Sequence, residues 1–252
     1  MTDVSASRGA ALVSGGAKRI GRAICLELAA AGFDLAIHHR DSGDEAADLA
    51  REIGSMGRRA VCLSADLADV VATGALIGQA VAALGPLSVL VNNASLFADD
   101  RLDSLTGESW SSHMDVNLRA PVLLAQAFAA QAPDGSVIIN ILDQRVMKPD
   151  PRFFSYGLSK SALWVATRTM AQALAPRIRV NGVGPGPILP SVHQTTAEFD
   201  AEARATPLQR PGSPEAVAQA VLWLVDAGQV TGQMIAVDGG QHLAWQTPDI
   251  LE

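Results

Sequence analysis

Short apolar runs alternate along this chain with longer segments of helical period, and that alternation constrains its fold more than any other feature. The runs fall at residues 10–14, 33–38, 60–63, 87–91, 136–140, 178–181 and 233–237. Short, mostly apolar runs between helical segments are the pattern of strands covered on both faces. The intervening segments are rich in alanine, which favours helix and permits close packing on a sheet. Strand–helix–strand repetition of this kind predicts an α/β, doubly wound parallel seven-stranded sheet with helices on both faces. No linker of Pro, Gly and Ser divides the chain, so residues 1–252 read as one domain. The least regular stretch is the proline-rich segment from Gly184 to Pro214. It is expected to be a substrate loop, about residues 186–213, acting as a mobile lid.

Composition narrows the partners. Nineteen Lys and Arg against 26 Asp and Glu give a net charge of −7, which argues against nucleic acid or an anionic membrane. No run is long enough to span a bilayer and the polar N-terminus lacks a signal-peptide core. Cys25 and Cys62 read as buried, unpaired thiols, and no residue cluster suggests a metal site. A cytoplasmic location is expected.

Ser14-Gly15-Gly16-Ala17-Lys18-Arg19-Ile20-Gly21 sits where the first strand hands over to the first helix. Glycine lets the backbone approach a pyrophosphate there, and the helix N-terminus supplies free N–H groups. Tyr156 and Lys160 are four apart and share a helix face, where a nearby ammonium is expected to lower the phenol pKa. Together with Asp66-Leu67, Asn92-Asn93-Ala94-Ser95, Asn117 and Pro185-Gly186, these motifs resemble the short-chain dehydrogenase/reductase family over nearly the whole chain. The resemblance implies a Rossmann-type fold and a nicotinamide cofactor. Its binding residues would be Ser14, Gly15, Lys18, Arg19, Ile20, Gly21, Asp66, Leu67, Asn93, Ala94, Ser95, Tyr156, Lys160, Pro185, Gly186 and Ile188. Asn117 would hold a water linking Lys160 to solvent.

One departure bears on the substrate. Most relatives carry serine thirteen residues before the tyrosine, and this chain has Asp143. A carboxyl group can exchange a proton and pair with ring N–H groups, although an acidic loop residue in solvent would look the same. Arg19 in place of the middle glycine, Asp143, and Ser95 followed by Leu96-Phe97 resemble the pteridine reductases and the related dihydromonapterin and dihydrofolate reductases. That branch implies a pterin or folate substrate against Arg19, Ser95, Phe97, Asp143 and Tyr156. Phe97 would stack the flat ring on the nicotinamide. Phe97 could instead be core, and Arg19 only a phosphate contact.

NADPH is expected over NADH, because His38, His39 and Arg40 end the second strand where NAD enzymes place a carboxylate. Ser42 adds a hydroxyl, while Asp41 falls, in one alignment, where pteridine reductases carry arginine. Two rival readings stay open. One is a carbonyl or 3-oxoacyl reductase of the same family, the other a nicotinamide-binding sensor without turnover. The family also implies a homotetramer built on the helices near 120–130 and 162–174, and His242 and Trp245 could approach a neighbour's active site.

Overall fold

The computed structural model describes residues 7–191 and 194–245. In chain order the elements begin β1 (Ala10–Val13), α1 (Arg19–Ala30), β2 (Asp34–His39), α2 (Gly43–Ser55), β3 (Ala60–Ser64), α3 (Val70–Leu84) and β4 (Leu87–Asn92). Then follow α4 (Gly107–Met114), a π-helical turn (Asp115–Arg119), α5 (Ala120–Gln131), β5 (Ser136–Ile141) and a 3₁₀ turn (Gln144–Val146). The chain continues through α6 (Phe154–Leu174), β6 (Ile178–Pro185), α7 (Thr196–Arg204), α8 (Pro214–Asp226), β7 (Met234–Val237) and a 3₁₀ turn (Gln241–Leu243).

All neighbouring strands pair in parallel, in the order β3-β2-β1-β4-β5-β6-β7. The strands divide their side chains between two cores. Ala11, Val13, Leu35, Ile37, Val91 and Ile139 pack with α1, α2 and α8. Leu12, Ala36, Leu90, Ile138 and Val180 pack with α3, α5 and α6. The expected apolar runs are thus central strands buried on both faces, whereas β3 and β7 at the edges are only partly covered. That edge position explains why Cys62 on β3 is half-exposed rather than buried as expected, while Cys25 is buried; both thiols are free.

The strand order reverses beside β1, at the β1–β4 junction, and ligands of such sheets lie beyond the carboxyl ends of the strands at that point. A buried polar ladder joins α6 to the sheet there. Asn92 Nδ2 donates to Asn140 Oδ1 at 2.8 Å, and Asn140 Nδ2 donates to Thr167 Oγ1 at 2.8 Å.

Among the described residues from Gly184 to Pro214, more lie in regular elements than the prolines suggest. β6 runs through Pro185, and α7 is closed at its start by a capping box between Thr195 and Glu198. Among the described residues no helix is long and apolar enough to cross a membrane, and no cluster of metal-ligating side chains is found.

Candidate active site

Two cavities open along the carboxyl ends of the strands, of about 720 and 780 Å³. They share Arg19, Ile20 and Ser95, so they form one continuous crevice.

The first cavity lies over β1, β2 and β3 and gathers Gly15, Lys18, Gly21, His39, Arg40, Ser42, Asp66, Leu67, Asn93 and Ala94. The glycine turn is shaped for a close approach. Gly15 is left-handed (φ +61°), and a Cβ on Gly21 would stand 2.1 Å from the Gly15 carbonyl oxygen. No side chain caps the first turn of α1, which carries no acid, so its free N–H groups and dipole face the cavity as an anion site. Ser14 lines neither cavity. Its hydroxyl oxygen accepts the N–H groups of Asn93 and Ala94 at 3.0 Å each, and Asn93 Nδ2 donates back to the Ser14 and Gly15 carbonyls.

The cluster at the end of β2 borders this cavity. His39, Arg40 and Ser42 reach the cavity, and His39 Nδ1 is buried there without a protein partner. His38, expected beside a 2′-phosphate, also borders the cavity, but its ring is buried and taken up by the Gly15 N–H and lies near the Ala65 carbonyl. Lys18 and Arg40 are paired with Glu45 and Asp41, each at 2.6 Å.

The second cavity gathers Arg19, Ser95, Phe97, Asp143, Tyr156, Lys160, Pro185, Gly186 and Ile188. Tyr156 Oη donates to Asp143 Oδ2 at 2.7 Å. Lys160, 2% exposed, donates from Nζ to the Ile141 carbonyl at 2.8 Å, below the Tyr156 ring. Burial together with the Asp143 carboxylate raises the Tyr156 phenol well above its ordinary value, the opposite of the lowering expected from Lys160. Desolvation of the buried phenol is the largest cause and the Asp143 carboxylate adds to it, while Arg145 opposes; Lys160 is itself fully buried, and desolvation lowers its own pKa to about 8. The site therefore holds Tyr156 as a protonated acid.

Arg19 has a left-handed backbone (φ 52°), the conformation that favours glycine. A side chain there costs on the order of 1 kcal/mol, which is tolerated where the side chain has a task. Its Nη2 donates to the Pro190 carbonyl at 3.0 Å and spans the mouth of the crevice.

Sequence reasoning missed several residues. Arg145 lies two beyond Asp143; its N–H donates to Asp143 Oδ1 at 2.8 Å and its Nη1 stands 3.3 Å from Oδ2, orienting the carboxylate. Phe153, itself left-handed (φ 55°), stacks on Phe97 at 4.2 Å between ring centroids. Phe97 also meets the Tyr156 ring edge-on at 4.7 Å, so it is a wall of the cavity as well as a packed residue. Behind this wall runs a buried relay. Ala98 N–H donates to His113 Nε2 at 3.2 Å, His113 Nδ1 lies 2.6 Å from Ser155 Oγ, and Ser155 Oγ donates to Asp100. Asn117, also outside both cavities, adds a second tie. It accepts from Leu96 N–H at 2.8 Å and donates to Ser159 Oγ at 3.1 Å. The spacing of His113 four before Asn117 was the available signal, since both fall on one helix face.

Residues 15–242 match the family model described as enoyl-(acyl carrier protein) reductase. An uncharacterized oxidoreductase of Mycobacterium tuberculosis is 37% identical over 91% of this chain and 90% of its own. The chain belongs to the short-chain dehydrogenase/reductase family. Among solved members of that family, the FolM alternative dihydrofolate reductase 1 of Brucella canis, complexed with NADP, is 46% identical. It superposes with a TM-score of 0.94, covering 99% of this chain and 100% of that one. The Brucella suis protein of the same description, also with NADP, is 48% identical, with a TM-score of 0.93 over 97% and 99%. This short-chain dehydrogenase/reductase is thus an oxidoreductase whose crevice carries Asp143 beside the tyrosine.

Proposed function

We propose that this enzyme is an NADPH-dependent pteridine reductase, converting a dihydropterin such as dihydrobiopterin, dihydromonapterin or dihydrofolate to its tetrahydro form. The observation that carries the reading is the Tyr156–Asp143 pair, held at 2.7 Å in a cavity walled by Phe97 and Phe153. A flat heterocycle suits an aromatic wall. Its N–H edge suits the Asp143 carboxylate, and Gln144 Oε1, buried with no protein partner, is a further acceptor at the same cavity.

The glycine cradle, the uncapped start of α1 and the unpartnered His39 Nδ1 fit an adenosine dinucleotide with a 2′-phosphate. When bound, NADPH would supply the hydride. Tyr156 Oη, protonated in this site, gives its proton to the ring nitrogen beside the reduced carbon. Asp143 orients that hydroxyl, Arg145 fixes Asp143, and buried Lys160 keeps a titrating ammonium beneath the ring.

The rival, an acyl-thioester reductase, draws on the description of the matching family model. It lacks support at position 143, where a carboxylate replaces the hydroxyl that such a reaction uses. A homotetramer belongs to the same proposal, since Val122 on α5 and Leu158 and Val165 on α6 are exposed.

The test is NADPH consumption with the three dihydropterins and a simple ketone in parallel. Turnover of a dihydropterin that disappears in Tyr156→Phe is the expected result. Turnover of the ketone alone would discard the pterin reading.

A further inference from the structure

The imidazole of His38 lies under the crevice, 2% exposed, between two loops that the cofactor motifs treat as separate. Gly15 N–H donates to its Nδ1 at 3.0 Å, and its Nε2 stands 3.1 Å from the Ala65 carbonyl oxygen. An amide N–H can only donate and a carbonyl can only accept. Nδ1 must therefore be bare and Nε2 must carry the proton, which selects one tautomer of the neutral ring. The His38 carbonyl also accepts from Gly16 N–H at 2.8 Å. One residue thus reaches both glycines of the turn after β1 and, at the end of the neighbouring strand β3, the residue just before Asp66. The other side of the turn is held by Asn93, so Gly15 is clamped between a side chain of β2 and one following β4.

We infer that His38 is a positioning residue for NADPH, holding the Gly15–Gly16 turn and the Ala65–Asp66 turn at the separation that the adenosine diphosphate half requires. The inference rests on the NADPH part of the proposal above and is independent of the pterin part. The ring stays neutral in this role. Burial pushes its pKa down to about 4, with His39 acting in the same direction and the Ala65 carbonyl and Asp66 opposing.

The experiment compares NADPH dissociation constants, by fluorescence, for the wild-type enzyme and for His38→Leu and His38→Asn, with melting temperatures recorded alongside. Leucine fills the space but accepts nothing from Gly15, and NADPH binding should weaken about tenfold, a loss typical of one unmet buried donor. Asparagine can place an acceptor near the Nδ1 position and should restore affinity to within about threefold. In both variants kcat at saturating NADPH should match wild type while the KM for NADPH follows the dissociation constant. A folded His38→Leu protein that binds NADPH as wild type does overturns the inference. A wild-type protein that does not bind NADPH removes the cofactor reading itself, and this role with it. Should His38→Leu fail to fold, ¹H–¹⁵N correlation of the wild-type ring decides: an Nε2–H ring supports the inference and an Nδ1–H ring overturns it.

Discussion

Over β1, β2 and β3 the crevice is shaped largely by main chain: a left-handed glycine, an uncapped helix start and carbonyls drawn in by Asn93. Over β4, β5 and the start of α6 it is shaped by side chains that meet from distant parts of the sequence. His113 and Ser155 are 42 residues apart, Asp100 and Ser155 are 55 apart, and Tyr156 meets Asp143 across a 3₁₀ turn. Both halves are tied across the sequence, since Asn93 reaches Ser14 and Gly15 from 78–79 residues away; what differs is that the first half presents backbone groups and the second presents side chains. Each half also hides a buried neutral histidine, His38 in one and His113 in the other.

Single substitutions should break one half and spare the other. Tyr156→Phe should give the largest effect, lowering kcat for a dihydropterin by about 10²–10⁴-fold, the usual contribution of a general acid. NADPH titration should show its binding nearly unchanged, and a parallel loss of binding would mean that the halves are not separable.

Next, His113→Leu leaves Ala98 N–H and Ser155 Oγ without their partner. Urea unfolding should show a loss of about 1–3 kcal/mol, the cost of a buried unmet polar group. Steady-state kinetics should show a raised KM for the pterin with the KM for NADPH constant.

Acid should probe both histidines together. Burial lowers both pKa values, so each ring is neutral in the folded protein while the unfolded chain takes up protons below about 6.5. Their contribution to stability is whole above that pH and is lost as pH falls toward the folded value, which is about 4 for His38. Unfolding free energies at pH 7.5, 6 and 5 should therefore decline, and the decline should be shallower in His38→Asn. An unchanged slope would mean that His38 is protonated in the native state.

Smallest of all, Glu45→Gln removes the partner of Lys18. Exposed pairs contribute about 1 kcal/mol or less, so NADPH affinity should rise no more than about fivefold, and less in high salt. A fall in affinity would place Lys18 outside the phosphate's reach.

Legibility followed distance along the chain rather than the two halves of the crevice. The seven apolar runs, the glycine turn and the Tyr156/Lys160 spacing are local, and each was readable from residues close in sequence. The direction of His38 was not readable. Adjacent strand residues point to opposite faces, and nothing in His38-His39-Arg40 says which histidine faces inward. The pKa direction of Tyr156 was misread for a related reason: spacing brings Lys160 near but does not reveal that burial and Asp143 outweigh it. The order of α7 had a readable signal in Thr195 and Glu198, obscured by the prolines around it. Arg145 and Phe153 act through contacts that only the folded turn creates.

The π-helical turn at Asp115–Arg119 has a consequence for helical phase. α4, this turn and α5 form one continuous rod, and its wide turn holds an extra residue relative to an α-helix. Each residue of an α-helix advances the rod by about 100°. Removing Val116 would thus rotate α4 against α5 by roughly a quarter turn, carrying His113 away from Ser155 and bringing the half-exposed Trp110 round toward a different neighbour. The extra residue acts as a phase setting. It lets one rod present Asn117 to α6 and His113 to Ser155 while the α5 side chains Leu124 and Phe128 stay in the sheet's core.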